Sequence, residues 1–145
     1  MLCDVSKVHT GKSIIPRVTH CTEDENWGQI GCIKKVHVAK SLTQNGGFAS
    51  TDKVLERVEN DYWVIEVTDF QSWMLGFWKF TGRWETNQLS ENKIKITYSY
   101  DLHAKQILLY PLQWMFVRFF WKGYMRQVLN NIKTMAEGDE PYLFE

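Results

Sequence analysis

The chain is short of the residues that staple, divide or steer a protein. Its 145 residues include three cysteines and three prolines. Cys3, Cys21 and Cys32 are an odd set without CxxC spacing, so reduced thiols in a cytoplasmic compartment are expected rather than a disulfide framework. No Pro- or Gly-rich linker cuts the chain and no internal repeat is visible, which leaves one domain. Neither sign of charge is in excess: 17 basic residues balance 17 acidic ones, so no global field recruits nucleic acid or an anionic membrane. Met1 to Ser13 lacks the apolar core of a signal peptide. The greasiest stretch, Ile107 to Trp121, is broken by Pro111, Gln113 and Arg118. It falls short of the about 20 apolar residues that a spanning helix needs, so stable membrane insertion is not expected. Catalytic signatures are missing too: no GxSxG, no HExxH and no Gly-rich phosphate loop. The four histidines have no metal-ligand spacing, and His20 and Cys21, neighbours on an expected strand, point apart. No catalytic residue, metal or cofactor is assigned.

Aromatic residues are abundant instead. Seven Trp, eight Phe and six Tyr within a 44% hydrophobic composition exclude disorder and promise a packed core. Strand patterns run through Ile14 to Cys21, Gly31 to Ala39, Val54 to Glu59 and Tyr62 to Thr68, with turn signals at Asn45-Gly46-Gly47 and Asn60-Asp61. Phe77 to Thr86 places Trp78, Phe80 and Trp84 on one side. Lys93 to His103 alternates most cleanly, with Ile94, Ile96, Tyr98, Tyr100 and Leu102 on the inward face. The period then changes. Trp114, Val117, Trp121, Tyr124, Met125, Val128, Ile132 and Met135 form the core-facing stripe of a helix, with Pro111 in its first turn and Gly138 at its end. The expected class is α+β: a curved antiparallel β-sheet gripping one long C-terminal α-helix.

This order resembles the START/polyketide cyclase-like superfamily (SRPBCC, helix-grip). The likeness is carried by Ile15-Pro16-Arg17-Val18-Thr19, by Trp27-Gly28 with Gly31-Cys32-Ile33-Lys34-Lys35-Val36, and by Val54-Leu55-Glu56-Arg57-Val58-Glu59-Asn60. Gly82-Arg83-Trp84-Glu85 and the terminal helix complete it. It implies a helix-grip domain over 14–138, between a loosely held tail over 1–13 and another tail over 139–145. It also implies an apolar cavity between sheet and helix. The family begins with a further strand and two short helices, for which the residues before Ile14 are too few. The strand over Lys93 to His103 is therefore expected to keep an exposed edge, open to a homodimer.

The residues expected to meet a ligand in that cavity are Trp78, Phe80, Trp84, Tyr98 and Tyr100 from the sheet, and Phe116, Trp121 and Tyr124 from the helix. Each also has a plainer role as core packing. Glu56 and Arg57 are adjacent on a strand, so one of them faces inward and needs a partner or a ligand. His37, on the side of Ile33, is a candidate to enter the cavity, with a surface or rim position as its plainer reading. The aromatic excess over Tyr110 to Trp121 fits a cavity lining, packing under a loop, a membrane-touching patch or a dimer surface. The expected function is binding of a hydrophobic small molecule or lipid by a non-catalytic carrier or sensor. The alternatives are a cyclase or dehydrase using Glu56 with Tyr98 or Tyr100, and a dimerising interaction module.

Overall fold

The computed structural model describes residues 5–42, 44–72 and 74–138. The tail expected over 139–145, and Cys3, lie outside the described residues. Six strands follow one another as an antiparallel meander in chain order: β1 (Val18–Glu23), β2 (Ile33–Val38), β3 (Gly47–Val58), β4 (Tyr62–Thr68), β5 (Phe77–Ser90) and β6 (Lys93–Ala104). The β3–β4 hairpin closes through Asn60, whose φ of 62° suits the left-handed turn that Asn tolerates. Register shifts interrupt every pairing except β4–β5. Such bulges bend and twist a strand, and here they curve the sheet around one face. β1 and β6 are the two edges of the sheet, so one side of the β6 backbone has no strand beside it among the described residues.

A helical run crosses the concave face. It begins with a 3-10 turn (Ile107–Leu109), continues as α2 (Tyr110–Met115) and a π-helical turn (Phe116–Trp121), and ends as α3 (Lys122–Glu137). A π turn holds more residues than an α turn, so it rotates the buried face of whatever precedes it. That rotation corrects the stripe expected from a uniform period. After the turn the stripe holds, with Tyr124, Met125 and Val128 buried. Before it Gln113 faces the core and Trp114 is exposed, and at its start Phe116 is buried while Val117 is exposed.

The segment expected as a loose tail is anchored. Val5–Val8 forms a short helix, α1, and Val8 is buried against Tyr124, Met125 and Val128. Polar side chains of α3 hold the backbone that follows: Asn131 Nδ2 donates to Val8 O at 2.8 Å, and Gln127 Nε2 donates to Gly11 O at 3.0 Å. The pattern-based reading misses this because the anchor is made by amides, not by an apolar run.

Gly82 in β5 lies under the Tyr100 ring. A Cβ there would meet Tyr100 Cε1 at 2.8 Å and Ile65 Cγ1 at 3.2 Å. Gly82→Ala is expected to destabilise the protein by about 1–3 kcal/mol through overpacking. Urea unfolding midpoints measure this, and an unchanged midpoint would show that the ring has room to move.

Candidate ligand-binding site

Between the sheet and α3 lies a cavity of about 600 Å³. That is within the range of small-molecule sites, about 300–1,000 Å³. Much of its wall is apolar, with Val36, Val38 and Val67 from the sheet and Val128 and Ile132 from α3. An aromatic arc joins the two layers. Phe80 and Trp121 stand 5.1 Å apart between ring centres, Tyr100 and Trp121 5.2 Å at 88°, and Trp84 and Tyr98 5.4 Å. Arg57, Glu59 and Asp61 of the β3–β4 hairpin bring charge to one end of the cavity. There Arg57 donates to Gly28 O at 2.8 Å and to Glu59 Oε2 at 2.7 Å.

A line of polar groups crosses this apolar space. His9 Nδ1 and Tyr124 Oη are 2.6 Å apart, and so are Tyr98 Oη and Tyr100 Oη. From β2 and β3, Lys34 Nζ meets Asp52 Oδ2 at 3.5 Å, with both side chains nearly shut off from solvent. The Lys34 ammonium also stands 4.3 Å from the Trp27 ring centre. These groups lie close enough to alter one another's ionisation. Burial, aided by the Lys34 charge, lowers the His9 pKa from 6.5 to about 4, so the imidazole is neutral at pH 7. Burial pushes the Asp52 carboxyl above its ordinary value while Lys34 pulls it back. Burial raises the Tyr100 and Tyr124 phenols too, which keeps them as neutral donors and acceptors. The buried indole N–H of Trp121 has no hydrogen-bond partner among the described residues.

Six residues expected from the sequence meet in this cavity: Phe80, Trp84, Tyr98, Tyr100, Trp121 and Tyr124. Three do not. Trp78 is turned outward by the bulge between Phe77 and Lys79, which puts Phe77 in its place and leaves Trp78 44% exposed beside Lys79 and Lys105. Phe116 is buried in the core against Phe77, because the π turn rotates it inward. Glu56 is exposed, and Arg57 takes the inward position on β3 after the bulge at Leu55. Glu56 does not meet Tyr98 or Tyr100, so that example of the polar convergence which the cyclase reading needs is not formed. His37 is also outside the cavity, because β2 faces it with Lys34, Val36 and Val38. Its ring stacks on His20 at 4.3 Å and meets Phe48 edge-on.

Sequence reasoning missed His9, Lys34 and Asp52. A signal for Lys34 was present, since it occupies an inward position of a strand whose other inward residues, Val36 and Val38, are apolar. Among the described residues no cluster of His, Cys, Asp or Glu is arranged to hold a metal ion, and Cys21 and Cys32 carry thiols rather than a disulfide.

No family model matches the chain, and no curated protein matches it. Among solved structures it is similar to the crystal structure of Ara h 8.0201, with a TM-score of 0.60, 14% sequence identity and 91% of each chain covered. Ara h 8 is Bet v 1-like, so the chain has a helix-grip fold of that type: six antiparallel strands curved around a C-terminal helix.

Proposed function

We propose that this protein binds a hydrophobic small molecule or lipid in its sheet–helix cavity, as a non-catalytic carrier or sensor. The observation that carries this reading is a large apolar cavity crossed by one line of hydrogen-bonding groups. Apolar walls supply affinity in proportion to the area that they cover. The line from His9 and Tyr124 through Tyr98 and Tyr100 to Lys34 supplies orientation, because a polar group left unpaired there costs free energy. The ligand that fits is mostly hydrocarbon or aromatic and carries oxygen acceptors, which the Tyr hydroxyls, the Lys34 ammonium and the Trp121 N–H can meet. A START-like carrier working in the cytoplasm is the finer form of this reading.

Native mass spectrometry of gently purified protein, set against its denatured mass, tests it. A non-covalent adduct of a few hundred daltons is expected. Ser50, small, buried and on the cavity wall, provides the control. Ser50→Trp fills the space and is expected to abolish the adduct while the fold persists. An apo mass for the wild type, under conditions where added hydrophobic ligands also fail to bind, removes the reading.

A further inference from the structure

The helical run shows water a second apolar surface, unrelated to the cavity. Leu108 is 91% exposed, Ile107 86%, Tyr110 63%, Phe119 62% and Trp114 54%. Trp78 of β5 extends the patch, linked to it through Lys105, whose Nζ lies 4.9 Å from the Trp78 ring centre. A soluble monomer rarely leaves so contiguous an apolar patch uncovered. The surface is also held firmly. On the opposite side of the same run Phe116 is locked into the core, and Gln113 Nε2 donates to Leu75 O at 3.0 Å and to Gln106 O at 3.4 Å. It is displayed without any need to refold.

Charge identifies what covers it. Lys105, Arg118 and Lys122 are exposed on or beside the patch, and no acidic residue occurs from Leu102 to Ala136. A second copy of this chain, docked symmetrically by the helical run, would set these cations against their own equivalents with no carboxylate of the run between them. The complement is anionic. A helix that lies in a partner's groove presents one stripe of anchors. Here apolar side chains project from every solvent-facing side of the run, mixing Trp and Tyr with Leu, Ile and Phe. That mixture suits a bilayer interface, where Trp and Tyr rest at headgroup level, aliphatic chains reach below it, and Arg and Lys return to the phosphates.

We propose that the run from Ile107 to Trp121 docks reversibly on the surface of an anionic lipid bilayer, with its exposed aromatic and aliphatic side chains in the interface and Lys105, Arg118 and Lys122 on the headgroups. No described helix is long and apolar enough to cross a membrane, so the contact is peripheral. It does not depend on what the cavity holds.

Co-sedimentation with vesicles tests this, using phosphatidylcholine alone and phosphatidylcholine mixed with phosphatidylserine. Wild-type protein is expected to pellet with the mixed vesicles and at least about tenfold more weakly with the neutral ones, since each cation near an anionic surface contributes about fivefold. The pair Arg118→Glu/Lys122→Glu should reduce binding to the mixed vesicles to the neutral level. Leu108→Glu/Phe119→Glu should abolish binding to both. All four side chains face solvent, so circular dichroism and thermal melts should match the wild type. Absence of binding to either vesicle overturns the proposal, as does equal binding to both that ignores charge reversal. A solution dimer dissolved by Leu108→Glu/Phe119→Glu, without vesicle binding, overturns it in favour of a protein interface.

Discussion

Replacing Lys34 by Met is expected to destabilise the protein by about 3–5 kcal/mol at neutral pH, the usual cost of removing one partner from a buried ion pair. Lys34 Nζ is the cation opposite Asp52, 3.5 Å away, and its attraction is what offsets the burial of that carboxyl. Without it Asp52 must either stay charged in an apolar wall or take up a proton. The loss therefore has a pH signature. A carboxyl raised further in the folded state contributes stability that is present below its unfolded pKa and lost as pH rises through the folded one. The deficit of Lys34→Met should shrink as pH falls. The double variant Lys34→Met/Asp52→Leu removes both charges and should recover most of the loss. Urea midpoints of the wild type, both single variants and the double variant at two pH values form the cycle. Equal stability of wild type and Lys34→Met would show that the pair contributes nothing.

Acid should weaken the fold through His9. Its folded pKa, about 4, lies below its ordinary value of 6.5. Above pH 6.5 both folded and unfolded forms hold His9 neutral, so it has no effect. Between 6.5 and 4 the unfolded chain binds the proton and the folded one does not, so stability falls as pH falls. Below 4 the loss is complete. A shift of this size corresponds to about 3 kcal/mol. Asp52 works in the opposite direction above the ordinary carboxylate pKa, because burial raises it, so the His9 contribution is read as the difference in slope between wild type and His9→Phe. His9→Phe should flatten that slope, while weakening the protein at all pH values by leaving the Tyr124 hydroxyl without its 2.6 Å partner. Identical slopes for wild type and His9→Phe from pH 7.5 to 5 would show that His9 is not held in this environment.

Sequence patterns reach as far as the period of the backbone stays regular. The inward face of β6 from Ile94 to Leu102 alternates without interruption, and Tyr62–Thr68 is a β-prone run directly after a turn, so both strands are legible directly. β3 is longer than its apolar pattern shows, because its first half turns Ser50 and Asp52 inward where a Val or Ile would announce a strand. Trp78 and Glu56 were misplaced for a different reason: each lies at or beside a bulge, and a bulge leaves no fixed mark in a single sequence. The aromatic half of the site, Phe80, Trp84, Tyr98, Tyr100, Trp121 and Tyr124, was readable because it obeys the period. Its polar half was not. His9 reaches Tyr124 across 115 positions of sequence, and no local pattern carries such a contact.

The π turn at Phe116–Trp121 has a consequence for how this chain tolerates length changes. One helical run serves two masters: its C-terminal half must present Tyr124, Met125 and Val128 to the cavity side, and its N-terminal half must bury Phe116 while Ile107, Leu108 and Phe119 look outward. The extra residue in the π turn is the phase offset between those two duties. Deleting one residue there would restore a single α-helical phase and swing everything before it by about 100°. Phe116 would leave the core and an outward residue would enter. A deletion of the kind that an exposed loop absorbs should therefore be strongly destabilising at this turn, where chain length is itself an instruction.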